Sequence, residues 1–316
     1  MNRELESENN SSTHRNSSKH QYQMKQERML TQEEESVFTS EYYDEDPMDR
    51  TKRYFGEENL QKLKESTLLC VGAGAVGNEV CKNLAMLGIG HIILVDFDEV
   101  RKSNINRCVF FRPEDHKNTS KVEAIEKRLP EVAPQTKITS FNTRIEDAPP
   151  EVYNVDLIIL AVDNDFARYN VNMFNLMKEK PLPIINGAMG RTFIEVGIYY
   201  PGKTACPVCL WSEDYYRTVM NQEIASKCDE FFVNTRSKFP MISTLTSIVG
   251  GIMSVEATKV LLSKDQKGTY SRKVPNQEPH FGTLIRYDLA KQELTRSKIL
   301  PNPKCVDVSC RARIKQ

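Results

Sequence analysis

The 316-residue chain has no net formal charge, 43 Lys plus Arg standing against 43 Asp plus Glu. Proteins that bind nucleic acid or acidic lipid through general charge carry a basic surplus, so this balance argues against both while saying nothing of local patches. No stretch approaches the roughly 18 to 20 apolar residues that span a bilayer, and the N-terminus is polar where a secretory leader needs an apolar core. These absences predict a soluble, cytoplasmic protein with neither a membrane nor a nucleic-acid partner. The chain has one Trp and no internal repeat. Without an export signal, its eight Cys read as reduced thiols, metal ligands or a nucleophile, because the cytosol disfavours disulfides.

The length suits one large α/β domain or two small ones. Residues 1–46 are rich in Asn, Ser, Gln and Glu and poor in aliphatics. Such a segment cannot bury enough apolar surface to offset its ordering entropy, and it is expected to be a disordered tail. It holds five Lys or Arg against eleven Asp or Glu, a net of −6, so the remainder carries +6.

Beyond the tail the pattern changes. Leu60 and Leu63 lie on a short amphipathic helix, and Thr67-Leu-Leu-Cys-Val71 is an unbroken apolar run typical of a buried parallel strand. Gly72, Gly74 and Gly77 then open a helix through Val80, Leu84 and Leu87, and His91 to Val95 is a second buried strand. That order is a βαβ unit. Helix (Lys121 to Leu129), strand (Thr136 to Asn142), strand (Asp156 to Val162), helix (Phe166 to Glu179) and strand (Pro183 to Asn186) continue the alternation, which predicts a doubly wound α/β sheet through about residue 190. Thr192 to Tyr200 and Thr283 to Leu289 read as antiparallel strands, with a long, largely buried helix from Met241 to Leu262 between them and a polar loop from Lys264 to Glu278.

Gly72-x-Gly74-x-x-Gly77 between strand and helix is a phosphate-cradling turn: its glycines allow tight geometry, and the helix N-terminus presents free N–H groups to an anion. Asp96, closing the next strand, suits ribose hydroxyls. Taken alone the pair points to NAD or FAD. Asn104, Arg107 and Lys121 follow, however, and charged clamps suit a triphosphate with a leaving pyrophosphate better than a dinucleotide held by backbone donors.

The segments Val71-Gly-Ala-Gly-Ala-Val-Gly77, Leu94-Val-Asp-Phe-Asp98 and Ser103-Asn-Ile-Asn-Arg107 resemble the ubiquitin-activating (E1-like) superfamily. This includes the adenylyltransferases of thiamin and molybdopterin biosynthesis (ThiF, MoeB, HesA) and the short activators of ubiquitin-like modifiers. The likeness runs from about Arg50 to Cys310. It implies a Rossmann-like, mostly parallel sheet with a C-terminal antiparallel extension, residues 47–190 forming a nucleotide-binding half and 191–316 a carrier-binding half with a zinc knuckle and a crossover loop. It also implies ATP and Mg2+ as cofactors, with Asp163 in Ala161-Val-Asp-Asn164 as the magnesium ligand; a carboxylate at the carboxyl edge of a parallel strand agrees physically. A helix-capping role is the other reading of Asp163. Asp49 to Glu58 is similar to the family's N-terminal segment, whose first Arg reaches the γ-phosphate of a partner subunit. That position is Arg50, with Arg53 nearby and Met48 where the family usually has an aromatic. A homodimer is implied.

Cys206-Pro-Val-Cys209, with Cys305 and Cys310, supplies four thiolates, enough for a closed tetrahedral Zn2+ site. The second pair is separated by four residues where the family usually has two. Cys70, Cys81 and Cys108 read as small core hydrophobes. Cys228 lies in the polar segment Ala225-Ser-Lys-Cys-Asp229, the crossover region in which family members carry a reactive cysteine. Lys227 and Arg236 favour its thiolate, while Asp229 and Glu230 oppose it.

The resemblance implies that a small β-grasp ubiquitin-like or sulfur-carrier protein presents a C-terminal Gly-Gly tail to Mg-ATP. Its carboxylate attacks the α-phosphate and pyrophosphate leaves, with Asp96 on ribose, Asn104, Arg107 and Lys121 on the phosphates and Asp163 on magnesium. Cys228 then captures the acyl group, ahead of a conjugating enzyme or sulfur donor. Two rivals are an NAD-dependent oxidoreductase, which has no need of Arg107 or Lys121, and a non-catalytic partner subunit of a heterodimeric activating enzyme, which has no reason to keep Asp96, Arg107, Lys121 and Asp163 together.

Overall fold

The computed structural model describes residues 46–228, 241–270 and 278–314. The acidic segment 1–45 lies outside them, and the expectation of disorder there with it. Two short helices open the described chain, α1 (Asp49–Phe55) and α2 (Glu57–Glu65), joined at Gly56 with φ 79°. Then come β1 (Thr67–Val71), α3 (Ala75–Met86) and β2 (His91–Val95), the βαβ unit read from the sequence.

Helix α4 (Lys121–Val132) starts in a capping box: Ser120 Oγ accepts from Glu123 N (3.3 Å), and the Glu123 carboxylate accepts from Ser120 N (3.0 Å). It runs past the expected end at Leu129 to Val132, with Pro130 inside its last turn. The alternation continues with β3 (Lys137–Phe141), β4 (Leu157–Leu160), α5 (Asp165–Met177), β5 (Ile184–Met189) and β6 (Phe193–Tyr199). Beyond these lie α6 (Glu213–Cys228), α7 (Ser243–Leu262), β7 (Thr283–Asp288), β8 (Glu293–Lys298) and α8 (Val308–Ile314).

The strands form one eight-stranded mixed sheet in the order β3-β2-β1-β4-β5-β6-β7-β8. Pairings from β3 through β5 are parallel, and those from β5 through β8 antiparallel. Because side chains alternate along a strand, Leu68 and Cys70 of β1 face α3, α4 and α7, whereas Leu69 and Val71 face α5 and the cysteine cluster. Both faces of the parallel half are covered. Its central strands β1, β2 and β4 are therefore nearly uniformly apolar and easy to read.

Three elements depart from the sequence reading. The crossover segment, expected as a polar loop, holds the 16-residue helix α6, with Val219 as a buried apolar residue. Strand β8 has six exposed residues, so it lacks the apolar alternation by which strands are recognised. Helix α7 is long and apolar enough, by length and composition, to cross a bilayer, which corrects the expectation that no segment is. In the fold 61% of its apolar window is buried, and it packs on α3, β5 and β6; a core helix is apolar nearly all round.

A buried ion pair fixes the chain between β2 and α4. Arg128 donates to both oxygens of Asp115 (2.8 and 2.9 Å) and to Phe110 O (2.9 Å), and Arg112 N donates to Asp115 (2.7 Å). These side chains are 7% and 6% exposed. Burial pushes the Asp115 carboxyl up, but Arg128 and the Arg112 N–H outweigh it and hold the group below its usual value. Asp115→Ala strands the guanidinium and is expected to cost about 3 kcal/mol in urea unfolding at pH 7. Because the folded value is depressed, the pair's contribution is complete above the unfolded carboxylate range, near pH 4, and fades as pH falls further. Wild type and variant should therefore converge in strong acid.

Candidate functional site

At the carboxyl ends of β1, β2 and β4 the glycine turn is set by close backbone approaches. Gly72 has φ 101°, and a Cβ there would lie 2.6 Å from Ala161 O; a Cβ on Gly77 would lie 2.0 Å from Gly72 O. Both glycines are required by the protein's own packing. Gly74, the N-cap of α3, has φ −72° and would place a Cβ in open space. Its lack of a side chain serves no contact within the protein. It leaves the helix N-terminus open to an approaching anion, and so the turn fits a nucleotide phosphate.

Asn78, fully buried in the next turn of α3, was not picked out from the sequence. Its amide donates to Ala73 O (3.0 Å) and Gly74 O (3.1 Å), and its oxygen accepts from Phe110 N (3.1 Å). The glycine turn is thereby tied to the loop that carries Asn104 and Arg107. Asn104 accepts from Arg101 N (2.9 Å), closing a single 3-10 turn and leaving its NH2 as a donor. Arg107 donates to Ser103 O and to Asn106 Oδ1 (3.3 Å), and its buried Nε has no protein partner. That orphaned donor also fits an anionic ligand.

Asp96 sits beside the turn, one oxygen accepting from Ala73 N (2.7 Å) and the other from Asp98 N (2.8 Å). Lys121, first residue of α4, reaches Asp98 Oδ2 at 2.6 Å and Asp96 Oδ1 at 3.8 Å. Burial raises the Asp96 carboxyl above its usual value against the pull of Lys121 and the two N–H groups. The same burial opposes the charge on Lys121, yet Asp96 and Asp98, with a further pull from Asp163, hold the ammonium above its ordinary value. Asp98 is the second residue that sequence reading missed; its signal was the Asp-x-Asp spacing after β2, which in extended chain places both carboxylates on one side.

Asp163 lies exposed just beyond β4. The cap of α5 is Asn164, which accepts from Phe166 N (2.8 Å), so Asp163 is not the capping residue. Arg168 is engaged by Asn186 (2.9 Å), Asp165 (2.6 Å) and Gly187 O (3.2 Å), and it braces β4 against β5. The structure thus gathers Gly72, Gly74, Gly77, Asp96, Lys121 and Asp163 at one edge of the sheet, with the Asn104 to Arg107 loop fastened to the turn.

Arg50 is not brought there, and Cys228 lies at the limit of the described residues. Met48, two residues before Arg50, packs on Gly88 and contacts Gln135, beyond the far end of α3. That helix has twelve residues, a length of about 18 Å. The backbone of Cys228 closes α6, and its side chain lies outside the described residues, as do Asp229, Glu230 and Arg236.

Next to Arg168 a cavity of about 410 Å3 opens between the β5–β7 strands and α6, lined by Asn186, Glu195, Tyr199, Trp211 and Tyr215 among others. Tyr215 donates to Asp165, which ties the start of α6 to α5. Farther along α6, Glu223 lies 3.7 Å from Arg144, whose guanidinium stacks over Phe97 at 4.6 Å.

On the sheet face carrying α5, the sulfurs of Cys206, Cys209, Cys305 and Cys310 lie within 4.8 Å of one another, all buried. Neighbouring sulfurs are 3.5 to 3.7 Å apart. Tetrahedral Zn–S bonds of about 2.3 Å put sulfurs about 3.8 Å apart, so the set fits Zn2+. Cys310 joins despite its unusual spacing because Asp307 caps α8: the carboxylate accepts from Ser309 N (2.9 Å) and Cys310 N (3.3 Å), and Asn172 of α5 donates to it (2.8 Å). Cys70, Cys81 and Cys108 are buried outside this cluster, as expected of core thiols, and burial pushes Cys108 up to about 12.

Fold and site together define a Rossmann-like α/β protein with a glycine-rich turn, a charged carboxyl edge and a four-thiol cluster. The sequence profile of the ThiF family matches residues 48–307, and the chain belongs to that family. It is 29% identical over 272 residues to "Ubiquitin-like modifier-activating enzyme 5" of Caenorhabditis elegans, covering 81% of this chain and 58% of the relative. It is 27% identical over 257 residues to the "Sulfur carrier protein adenylyltransferase" of Thermus thermophilus, covering 79% of this chain and 84% of the relative. The chain spans less than two thirds of the nematode relatives it matches. In fold it is similar to E. coli MccB, solved with ATP, at TM-score 0.64 and 21% identity over 86% of this chain and 75% of that one.

The glycines separate packing from ligand access. Gly77→Ala must displace the Gly72 carbonyl and is expected to lower stability by about 3 kcal/mol. Gly74→Ala meets no atom and should leave the thermal midpoint within a degree or so of wild type. Circular-dichroism melts of both variants check this; an equal loss in the two would contradict the geometry.

Proposed function

We propose that this chain activates the C-terminal carboxylate of a small β-grasp ubiquitin-like or sulfur-carrier protein by adenylation with Mg-ATP. The observation that carries this reading is the convergence of Asp96, Lys121 and Asp163 on the glycine turn. An oxidoreductase has no use for a buried ammonium and a metal-binding carboxylate at that edge. Gly74 and the N-terminus of α3 receive phosphate, Asp96 holds ribose, and Asn104, Arg107 and Lys121 meet the charge that develops on the phosphates. Asp163 would hold Mg2+, which when bound would supply Lewis-acid stabilisation of the leaving pyrophosphate. No general base is needed, because the attacking carboxylate is already ionised; catalysis is positioning and preset electrostatics.

The cavity lined by Asp165, Arg168 and Trp211 is the proposed path of the incoming tail, which we take to end in Gly-Gly. Arg50 lies too far along α3 to serve its own site, which supports a homodimer in which a second copy supplies it. Zn2+ held by Cys206, Cys209, Cys305 and Cys310 has a structural role, tying the C-terminal segment to the start of the crossover. Cys228, at the end of α6, is the proposed acceptor of the acyl group before a conjugating enzyme or sulfur donor acts.

Carrier-dependent ATP–pyrophosphate exchange tests the adenylation. Asp163→Ala should lower the exchange rate roughly 100-fold or more, and undiminished exchange would remove Asp163 from the mechanism. A reducible, carrier-sized adduct should form on wild type and be absent in Cys228→Ala; an adduct that persists there disposes of the acceptor role. For the metal, zinc content measured by atomic absorption should be near one per chain and fall sharply in Cys310→Ser, together with the thermal midpoint.

A further inference from the structure

Asp98 has no part in the mechanism above, yet its carboxylate is in direct contact with the ammonium meant for phosphate. The fold builds this pair. A short antiparallel bridge joins Glu99 to Ser120, and Lys121 N donates to Asp98 O at 2.9 Å. The chain leaving β2 therefore runs alongside the first residue of α4. Lys121 Nζ lies 2.6 Å from Asp98 Oδ2, with the two side chains 11% and 34% exposed.

Asp96 Oδ1 lies 3.8 Å from the same ammonium, and Asp163 acts on it electrostatically. Two carboxylates thus share one largely buried cation, with a weaker pull from Asp163, at the place where a triphosphate is to bind. Asp98 competes with phosphate oxygens for Lys121 and repels them through a medium of reduced dielectric. A divalent cation arriving with the nucleotide cancels that repulsion.

We infer that Asp98 makes nucleotide binding conditional on the divalent cation: as the counter-ion of Lys121 it disfavours the metal-free triphosphate. It is a positioning residue, acting through Lys121, and the inference rests on the adenylation reading.

Equilibrium titration of ATP onto the full chain, in EDTA and in excess Mg2+, tests this with wild type, Asp98→Asn, Lys121→Gln and the double variant. In EDTA, Asp98→Asn should bind roughly three- to tenfold more tightly than wild type. The difference should narrow in Mg2+ and vanish in the Lys121→Gln background. A merely structural Asp98 cannot yield tighter binding when altered. If wild type binds ATP but Asp98→Asn binds no better in EDTA, or gains equally in Mg2+, the inference falls and the adenylation reading stands. If wild type binds ATP under neither condition, both fall.

Discussion

The close packing of Gly77 on the Gly72 carbonyl, and of Gly72 on Ala161, is the constraint on which the rest of this carboxyl edge depends. It holds the β1–α3 turn against the end of β4, so that the phosphate cradle and the segment leading to Asp163 share one frame. Ala73 N, within the same turn, fixes Asp96, and Asn78 carries the frame on to Phe110 and the loop of Arg107. The Arg128–Asp115 pair then clamps the far side of that loop. Asp96, Asn78, Asp115 and Arg128 each take at least one backbone partner in this chain of contacts, which is how a buried polar network becomes rigid instead of costly.

The balanced charge of the whole chain conceals strong local order. Residues 47–316 carry a surplus of six cations, yet beside the glycine turn Lys121 is outnumbered by carboxylates. Burial opposes the charge on this lysine, and its carboxylate neighbours more than offset it. An ammonium held in place before any ligand arrives needs little reorganisation when charge develops, which is the physical basis of electrostatic preorganisation.

The centre of the parallel half was legible in the sequence because β1, β2 and β4, buried on both faces, are nearly unbroken apolar runs. Asp96, Lys121 and Asp163, at the carboxyl edge, were legible because they fall at fixed points after those strands or at a helix start. What escaped notice depends on tertiary neighbours. The polar Asn78 looks like a solvated helix residue until the loop of Phe110 is laid over it. Strand β8 is defined by its pairing with β7, from Thr283↔Lys298 to Asp288↔Glu293, and not by any pattern of its own. The four-residue spacing of Cys305 and Cys310 seemed unfavourable only because the capping by Asp307, which turns Cys310 back onto the cluster, has no local signature.

The thiol cluster has a further consequence for the unfolded chain. Its sulfurs come from positions 99 and 101 residues apart, and the span between them contains α6, α7, β7 and β8. A metal gripping both pairs closes a loop of that size, and a covalent link of comparable span restricts the denatured ensemble by about 4.7 kcal/mol in the chain-entropy picture. The metal would then act as a knot in the chain's topology: the whole C-terminal half, cysteine-bearing helix included, stays tethered to the face of the parallel sheet even when its own packing loosens.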